Sequence, residues 1–243
     1  MSTPERPEIL PLLFENVGFS ARGTPLLHDV SFTLSAGPVS VILGPNGSGK
    51  SLCLRLANGL LAPTSGRVRF AGPAADQAAN ACALVFQRPV LLRRSALENV
   101  HFALRLRGIG KEEREGRVAR VLEATGLSEL GTRQARLLSV GEQQRLALSR
   151  AWALEPAVLF LDEPAASLDP GASRALESAV QAIRSEGAKI VMTTHDLAQA
   201  RRMADEVLFL HRGRLLEQTP ADEFFGEPRS IEARKFLQGE ILG

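Results

Sequence analysis

The stretch Gly44-Pro45-Asn46-Gly47-Ser48-Gly49-Lys50-Ser51 constrains this chain more than any other. It fits the pattern G-x-x-x-x-G-K-[ST]. Glycines let the backbone curl so that successive N–H groups point at phosphate oxygens. A helix starting at Lys50 presents its positive end to the same anion. Lys50 can reach the β- and γ-phosphates of a nucleotide, and the Ser51 hydroxyl can ligate Mg2+. The context agrees. The apolar run Val39–Leu43 suits a buried parallel strand. Leu52, Leu54, Leu56 and Leu60 suit a helix over Lys50–Leu60, closed near Gly59.

A second strand, Val158–Leu161, runs into Asp162-Glu163. In open parallel sheets, ligands bind beyond the carboxyl ends of the strands. Alone, such a pair is usually a solvated turn. Beside a phosphate loop, on a neighbouring strand, it predicts one shared nucleotide. Asp162 then holds Mg2+ through water, and Glu163 orients or deprotonates the attacking water. His195 follows Ile190–Met192 and two threonines, so it closes a third strand and is placed at the γ-phosphate. His28, His101 and His211 lack such context.

The rest of the chain alternates strand and helix. Leu12–Phe19, Ser31–Leu34, Gly66–Phe70 and Ala83–Phe86 read as strands. Ala96 to Gly126 is helical and rich in Arg and Glu, and Leu138–Leu154 is a helix opening at Ser139 and ending before Pro156. Beyond it come Ala172–Ser185 and Leu197–Met203 as helices, Lys189–Thr193 and Glu206–Leu210 as strands, and short helices after Ala221. This alternation predicts a parallel sheet flanked by helices.

Composition narrows the function classes. The chain has 243 residues, enough for a full core without disulfides. Its net charge of +2 is too small to imply a nucleic-acid partner. Cys53 and Cys82 have no CxxC spacing, so neither a disulfide scaffold nor a zinc site is expected. No apolar run approaches the ~18 residues needed to span a bilayer. The polar segment Met1 to Glu8 does not read as a signal peptide, so an unexported chain is expected.

Taken together, these residues resemble the ATP-binding subunit of ABC (ATP-binding cassette) transporters, from about Leu12 to Leu237. Phe86-Gln87 resembles the Q-loop, and Leu138-Ser139-Val140-Gly141-Glu142-Gln143-Gln144-Arg145 the family signature. Asp162-Glu163-Pro164 matches the acidic pair, Ser167-Leu168-Asp169 the D-loop, and Thr194-His195-Asp196 the switch histidine. The resemblance implies an α/β, RecA-like P-loop NTPase core. That core carries an antiparallel β subdomain and an inserted all-helical signature subdomain at residues 88–138, flanked by core residues 1–87 and 139–243. It implies ATP and Mg2+ as ligands, with Ser51, Gln87 and Asp162 around the metal. Lys50, Gln87, Glu163 and His195 are the implied catalytic set. Two copies stack head to tail, so that Ser139, Val140, Gly141 and Glu142 meet the nucleotide of the partner copy, and Ser167, Leu168 and Asp169 meet across the dimer.

Two positions depart from the family. Val140 stands where the signature usually has Gly, which is costly if that backbone needs φ > 0. Ala21 stands where an aromatic residue usually stacks on adenine, leaving Arg22 as a planar cation that could stack instead. The resemblance further implies a transmembrane permease docked near Arg88–Ser95, with Leu91 and Leu92 in the contact. The chain would then lie on the cytoplasmic face of the membrane. Absence of an acidic stretch before the signature favours an importer with an extracytoplasmic solute-binding protein, and Phe86–Ser95 looks most like importers of oxyanions such as tungstate or phosphate. The alternatives are a soluble single-cassette ABC ATPase acting on nucleic acid and a nucleotide-dependent regulator without useful turnover.

Overall fold

The computed structural model describes residues 6–240; the ends of the expected core, 1–5 and 241–243, lie outside the described residues. The chain opens with the antiparallel strands β1 (Leu12–Ala21) and β2 (Thr24–Leu34). Strand β3 (Ser40–Leu43) is buried throughout and feeds helix α1 (Lys50–Ala57). Strand β4 (Ser65–Phe70) completes a three-stranded antiparallel sheet of order β2-β1-β4. Helix α2 (Ala78–Ala81) leads into β5 (Cys82–Val85), after which α3 (Ala96–Leu106) and α4 (Lys111–Ala124) follow.

Helix α5 (Val140–Trp152) then precedes β6 (Val158–Asp162), α6 (Pro170–Ser185), β7 (Lys189–Thr194) and α7 (Leu197–Met203). The chain continues with β8 (Glu206–His211), β9 (Arg214–Pro220), α8 (Ala221–Gly226) and α9 (Ile231–Leu237). The second sheet has six strands in the order β5-β6-β7-β3-β8-β9. All its pairings are parallel except β8 with β9.

Every residue of β3, β6 and β7 is buried, because one set of helices covers one face of this sheet and α1, together with the antiparallel sheet beyond it, covers the other. That explains their apolar runs without alternation. One apolar cluster joins Leu43, Leu159 and Ile190 to Val100, Val121 and Leu146 of the helices. The segment between β5 and α5 thus shares a continuous core with the sheet. Its ordered elements are helical, apart from an isolated bridge between Ser95 and Gln134.

Three features differ from the sequence expectations. First, β2 begins at Thr24, well before Ser31. Asp29 and Asn16 both take φ 52°, and the bulges around them break the apolar alternation that marks a strand. Second, β9 has no apolar period. Its buried positions are Glu217 and Thr219, and the Glu217 carboxylate accepts hydrogen bonds from Arg229 N–H and Ser230 N–H ahead of α9. Third, the phosphate-loop strand and the acidic strand are not neighbours. β7 lies between β3 and β6, pairing with both.

Candidate active site

Four loops meet above the carboxyl ends of β3, β5, β6 and β7, around a cleft of about 600 Å3. Asn46, Gly47, Ser48, Gly49, Lys50 and Ser51 form its floor, and Gln87, Glu163 and His195 close it. Gly49 holds φ 103° at the start of α1, and a Cβ there would lie 2.6 Å from Leu27 Cδ2. The loop therefore needs glycine for both its conformation and its packing. The Ser48 hydroxyl is buried without a hydrogen-bond partner. Buried hydroxyls are nearly always satisfied, so an orphan in a phosphate loop fits a phosphate-bearing ligand.

Lys50 is held rather than free. Its Nζ donates to the carbonyls of Gly44 at 2.9 Å and Pro45 at 3.1 Å, and lies 3.4 Å from Glu163 Oε1. Burial pushes the Lys50 ammonium below its ordinary pKa, while the nearby Glu163 charge pulls the other way. Glu163 gathers three partners, being also 3.0 Å from His195 Nδ1 and 3.5 Å from Gln87 Nε2. It reaches them from a left-handed backbone, φ 44°.

Below it, Ser51 Oγ donates to Asp162 Oδ1 at 2.7 Å. One hydroxyl and one carboxylate, with the Gln87 amide nearby, form a sparse oxygen set. Mg2+ is bound in this manner, since it keeps waters and takes phosphate oxygens as further ligands. Among the described residues no cluster of three or more His, Cys, Asp or Glu could make a metal cage. The residues present fit a Mg2+–nucleotide pair.

Other residues singled out in the sequence lie elsewhere. Ala21, at the end of β1, and Arg22, in the turn that follows, are exposed and do not line the cleft; Leu26 of β2 does. Ser139, Val140, Gly141 and Glu142 also stand outside it, at the start of α5. Ser139 caps that helix in a reciprocal pair: its Oγ accepts Glu142 N–H at 3.3 Å, and Glu142 Oε2 accepts Ser139 N–H at 2.7 Å. The latter bond holds the Glu142 carboxyl below its ordinary pKa.

A Cβ on Gly141 would lie 2.9 Å from Ala172 Cβ, so glycine lets α5 approach α6. Leu168 packs against the core beside it, and Asp169 caps α6 by accepting Ala172 N–H at 2.9 Å. Ser167 is exposed.

Val140 is the first residue of α5 and is absent from the positive-φ positions, so the strain feared for it does not arise. Its side chain is 57% exposed. Val140→Gly is accordingly expected to lower stability by up to about 1 kcal/mol through chain entropy. A melting temperature raised by this substitution would show that the position is strained.

Sequence reasoning missed Thr193 and Gln144. Thr193 Oγ1 donates to Asp162 Oδ1 at 2.9 Å and accepts Glu163 N–H at 2.9 Å. Gln144 is buried and donates to the Phe86 carbonyl at 3.2 Å, tying α5 to the residue before Gln87. Polar residues at otherwise apolar positions were the available signal, because a buried polar side chain must find a partner.

A phosphate loop facing an acidic pair at the carboxyl edge of a parallel sheet defines a P-loop nucleotide hydrolase. The family described as ABC transporter matches residues 27–166, more than half of the chain. The chain belongs to that family: it is an ATP-binding subunit, an ATPase whose hydrolysis is coupled to transport. It is 38% identical over 211 residues to the tungstate uptake system ATP-binding protein TupC of Peptoclostridium acidaminophilum, covering 86% of this chain and 97% of that one. It is 36% identical to the glutamine transport ATP-binding protein GlnQ of Escherichia coli, covering 93% and 98%. The solved structure of cbiO1 from Clostridium perfringens, described as part of the ABC transporter complex cbiONQ, superposes with a TM-score of 0.79 at 31% identity, covering 90% and 91%.

Proposed function

We propose that this chain is the ATPase of a solute importer, and that an oxyanion is the cargo class. The observation carrying the ATPase chemistry is the convergence of Lys50, Gln87 and His195 on the Glu163 carboxylate at the mouth of the phosphate loop. The phosphate-loop N–H groups and the start of α1 bind the phosphates. Lys50 is already desolvated beside them and offsets the β- and γ-phosphate charge. Glu163 accepts the proton of the attacking water, and His195 orients the Glu163 carboxylate and contacts the γ-phosphate. Ser51, Asp162 and Gln87 would hold Mg2+, which would neutralise charge on the phosphates when bound.

The signature residues do not line their own cleft. In our reading a second copy brings its Ser139, Val140, Gly141 and Glu142 to this nucleotide, with Ser167, Leu168 and Asp169 of both copies meeting at the seam. The importer assignment, the oxyanion class and an extracytoplasmic solute-binding protein are supported by relatives such as the tungstate uptake protein. Among the described residues no helix is long and apolar enough to cross a membrane. Similarity to subunits of transporter complexes supports placing the chain at the cytoplasmic face through a permease subunit.

That subunit docks at the start of the helical segment 88–138, at a groove of about 160 Å3 that Pro89, Val90 and Ala103 of this segment share with Phe86 after β5 and Arg150 of α5. Val90 is 74% exposed and its carbonyl accepts Arg150 Nη1 at 3.0 Å. Leu91 packs partly into the core, so Val90 is the better probe. The tagged chain is expected to co-purify from mild-detergent membranes with a multi-spanning protein, and Val90→Asp to release it with the melting temperature unchanged. Recovery from the cytosol alone, or retention of the membrane protein by Val90→Asp, would refute the docking assignment.

A further inference from the structure

β7 lies between β3 and β6, and near its carboxyl end Thr193 is in register with Ile42 of β3 on one side and Asp162 of β6 on the other. Thr193 is fully buried. An ionised carboxylate only accepts and a backbone N–H only donates. The Thr193 hydroxyl therefore has one possible arrangement, with its proton on Asp162 Oδ1 and a lone pair on Glu163 N–H. Ser51 Oγ donates to the same Oδ1, so two hydroxyls fix the rotation of this carboxylate. The second contact falls on the residue whose backbone takes φ 44°, a conformation that side chains beyond glycine rarely adopt. One buried hydroxyl thus fixes the Asp162 carboxylate and the Glu163 backbone together.

We infer that Thr193 is a positioning residue for ATP hydrolysis, setting the acidic pair for Mg2+ and for the attacking water. The inference rests on the roles given above to Asp162 and Glu163. Valine has nearly the same shape and keeps the β-branched strand residue, but removes the hydroxyl. A purely structural threonine would lose stability on this change and keep its turnover per folded molecule. A positioning threonine loses turnover and metal response.

The full-length chain is compared with Thr193→Val, Thr193→Ser and, separately, Glu163→Gln. Steady-state MgATP hydrolysis is measured against ATP and against Mg2+, and ADP affinity is measured with Mg2+ and with EDTA. Thr193→Val is expected to lose about 10–100-fold in kcat, as a small displacement of a reacting group does. Its KM should stay within about threefold. The Mg2+ concentration for half-maximal rate should rise, and the gain in ADP affinity that Mg2+ brings should shrink. Thr193→Ser, with its oxygen on the same Cβ, should restore both. Wild-type kcat and Mg2+ response in Thr193→Val, or equal impairment in Thr193→Ser, overturns the inference. Glu163→Gln separates the two levels: if it hydrolyses normally, the role of Glu163 fails and Thr193 falls with it. If it is inactive while Thr193→Val is normal, only Thr193 falls.

Discussion

Glu163→Gln is expected to reduce ATP turnover by about 10²–10⁴-fold, the usual contribution of a positioned general base. The carboxylate sits within 3.5 Å of Lys50, Gln87 and His195, so its loss removes the group on which the other three converge and which is assigned the proton of the attacking water. Glutamine keeps the shape and can still bond His195. Nucleotide affinity should hold or rise, because the substitution removes an anion facing the γ-phosphate and frees Lys50 from its 3.4 Å ion pair. Phosphate release and ATP affinity, measured on the same preparation, check the two signs. Turnover within tenfold of wild type would remove Glu163 from the chemistry.

Gly44→Ala is expected to be the most destabilising change in the phosphate loop. A Cβ at Gly44 would lie 2.0 Å from the Leu210 carbonyl oxygen, and the residue holds φ 155°. Leu210 belongs to β8, whose neighbour Phe209 is in register with Leu43, so neither backbone can move without breaking the sheet. A clash of this kind costs about 3 kcal/mol or more. For a chain of this size that is a fall in melting temperature of at least about 6–12 °C. Gly47 is the internal control. It takes φ 79° with nothing within 4 Å of a built Cβ, so Gly47→Ala pays about 1–2 kcal/mol for conformation alone. Equal melting temperatures for the two variants would contradict the close approach at Gly44.

The parts of the site that were legible in the sequence are those where chemistry demands particular residues at fixed spacing. Gly44–Ser51, Asp162-Glu163 and His195 each follow an apolar run, and the structure brings Lys50, Glu163 and His195 to one cleft. Ser139 at the head of α5 was legible for a local reason, since serine with glutamate three residues on is a capping box. What was not legible depended on strand order and on polar residues inside the core. Parallel strands carry no mark of which neighbours they choose, so the insertion of β7 between β3 and β6 was invisible, and Thr193 with it. β9 buries Glu217 and Thr219 instead of an apolar stripe, and so lacks the period that announces a strand. The adenine side shows a similar limit. The family resemblance pointed to Ala21 and Arg22, whereas the residue of this hairpin that lines the cleft is Leu26 of β2.

In the proposed assembly two copies of this chain, each supplying its signature to the other, enclose ATP for hydrolysis. Sedimentation of the Glu163→Gln chain with MgATP tests it most directly. A shift from the 26.2 kDa chain to a species of twice that mass is predicted, reversed when MgADP replaces MgATP and abolished by Ser139→Arg. A variant that stays monomeric while saturated with MgATP, or a dimer indifferent to both nucleotide and Ser139, would contradict the account.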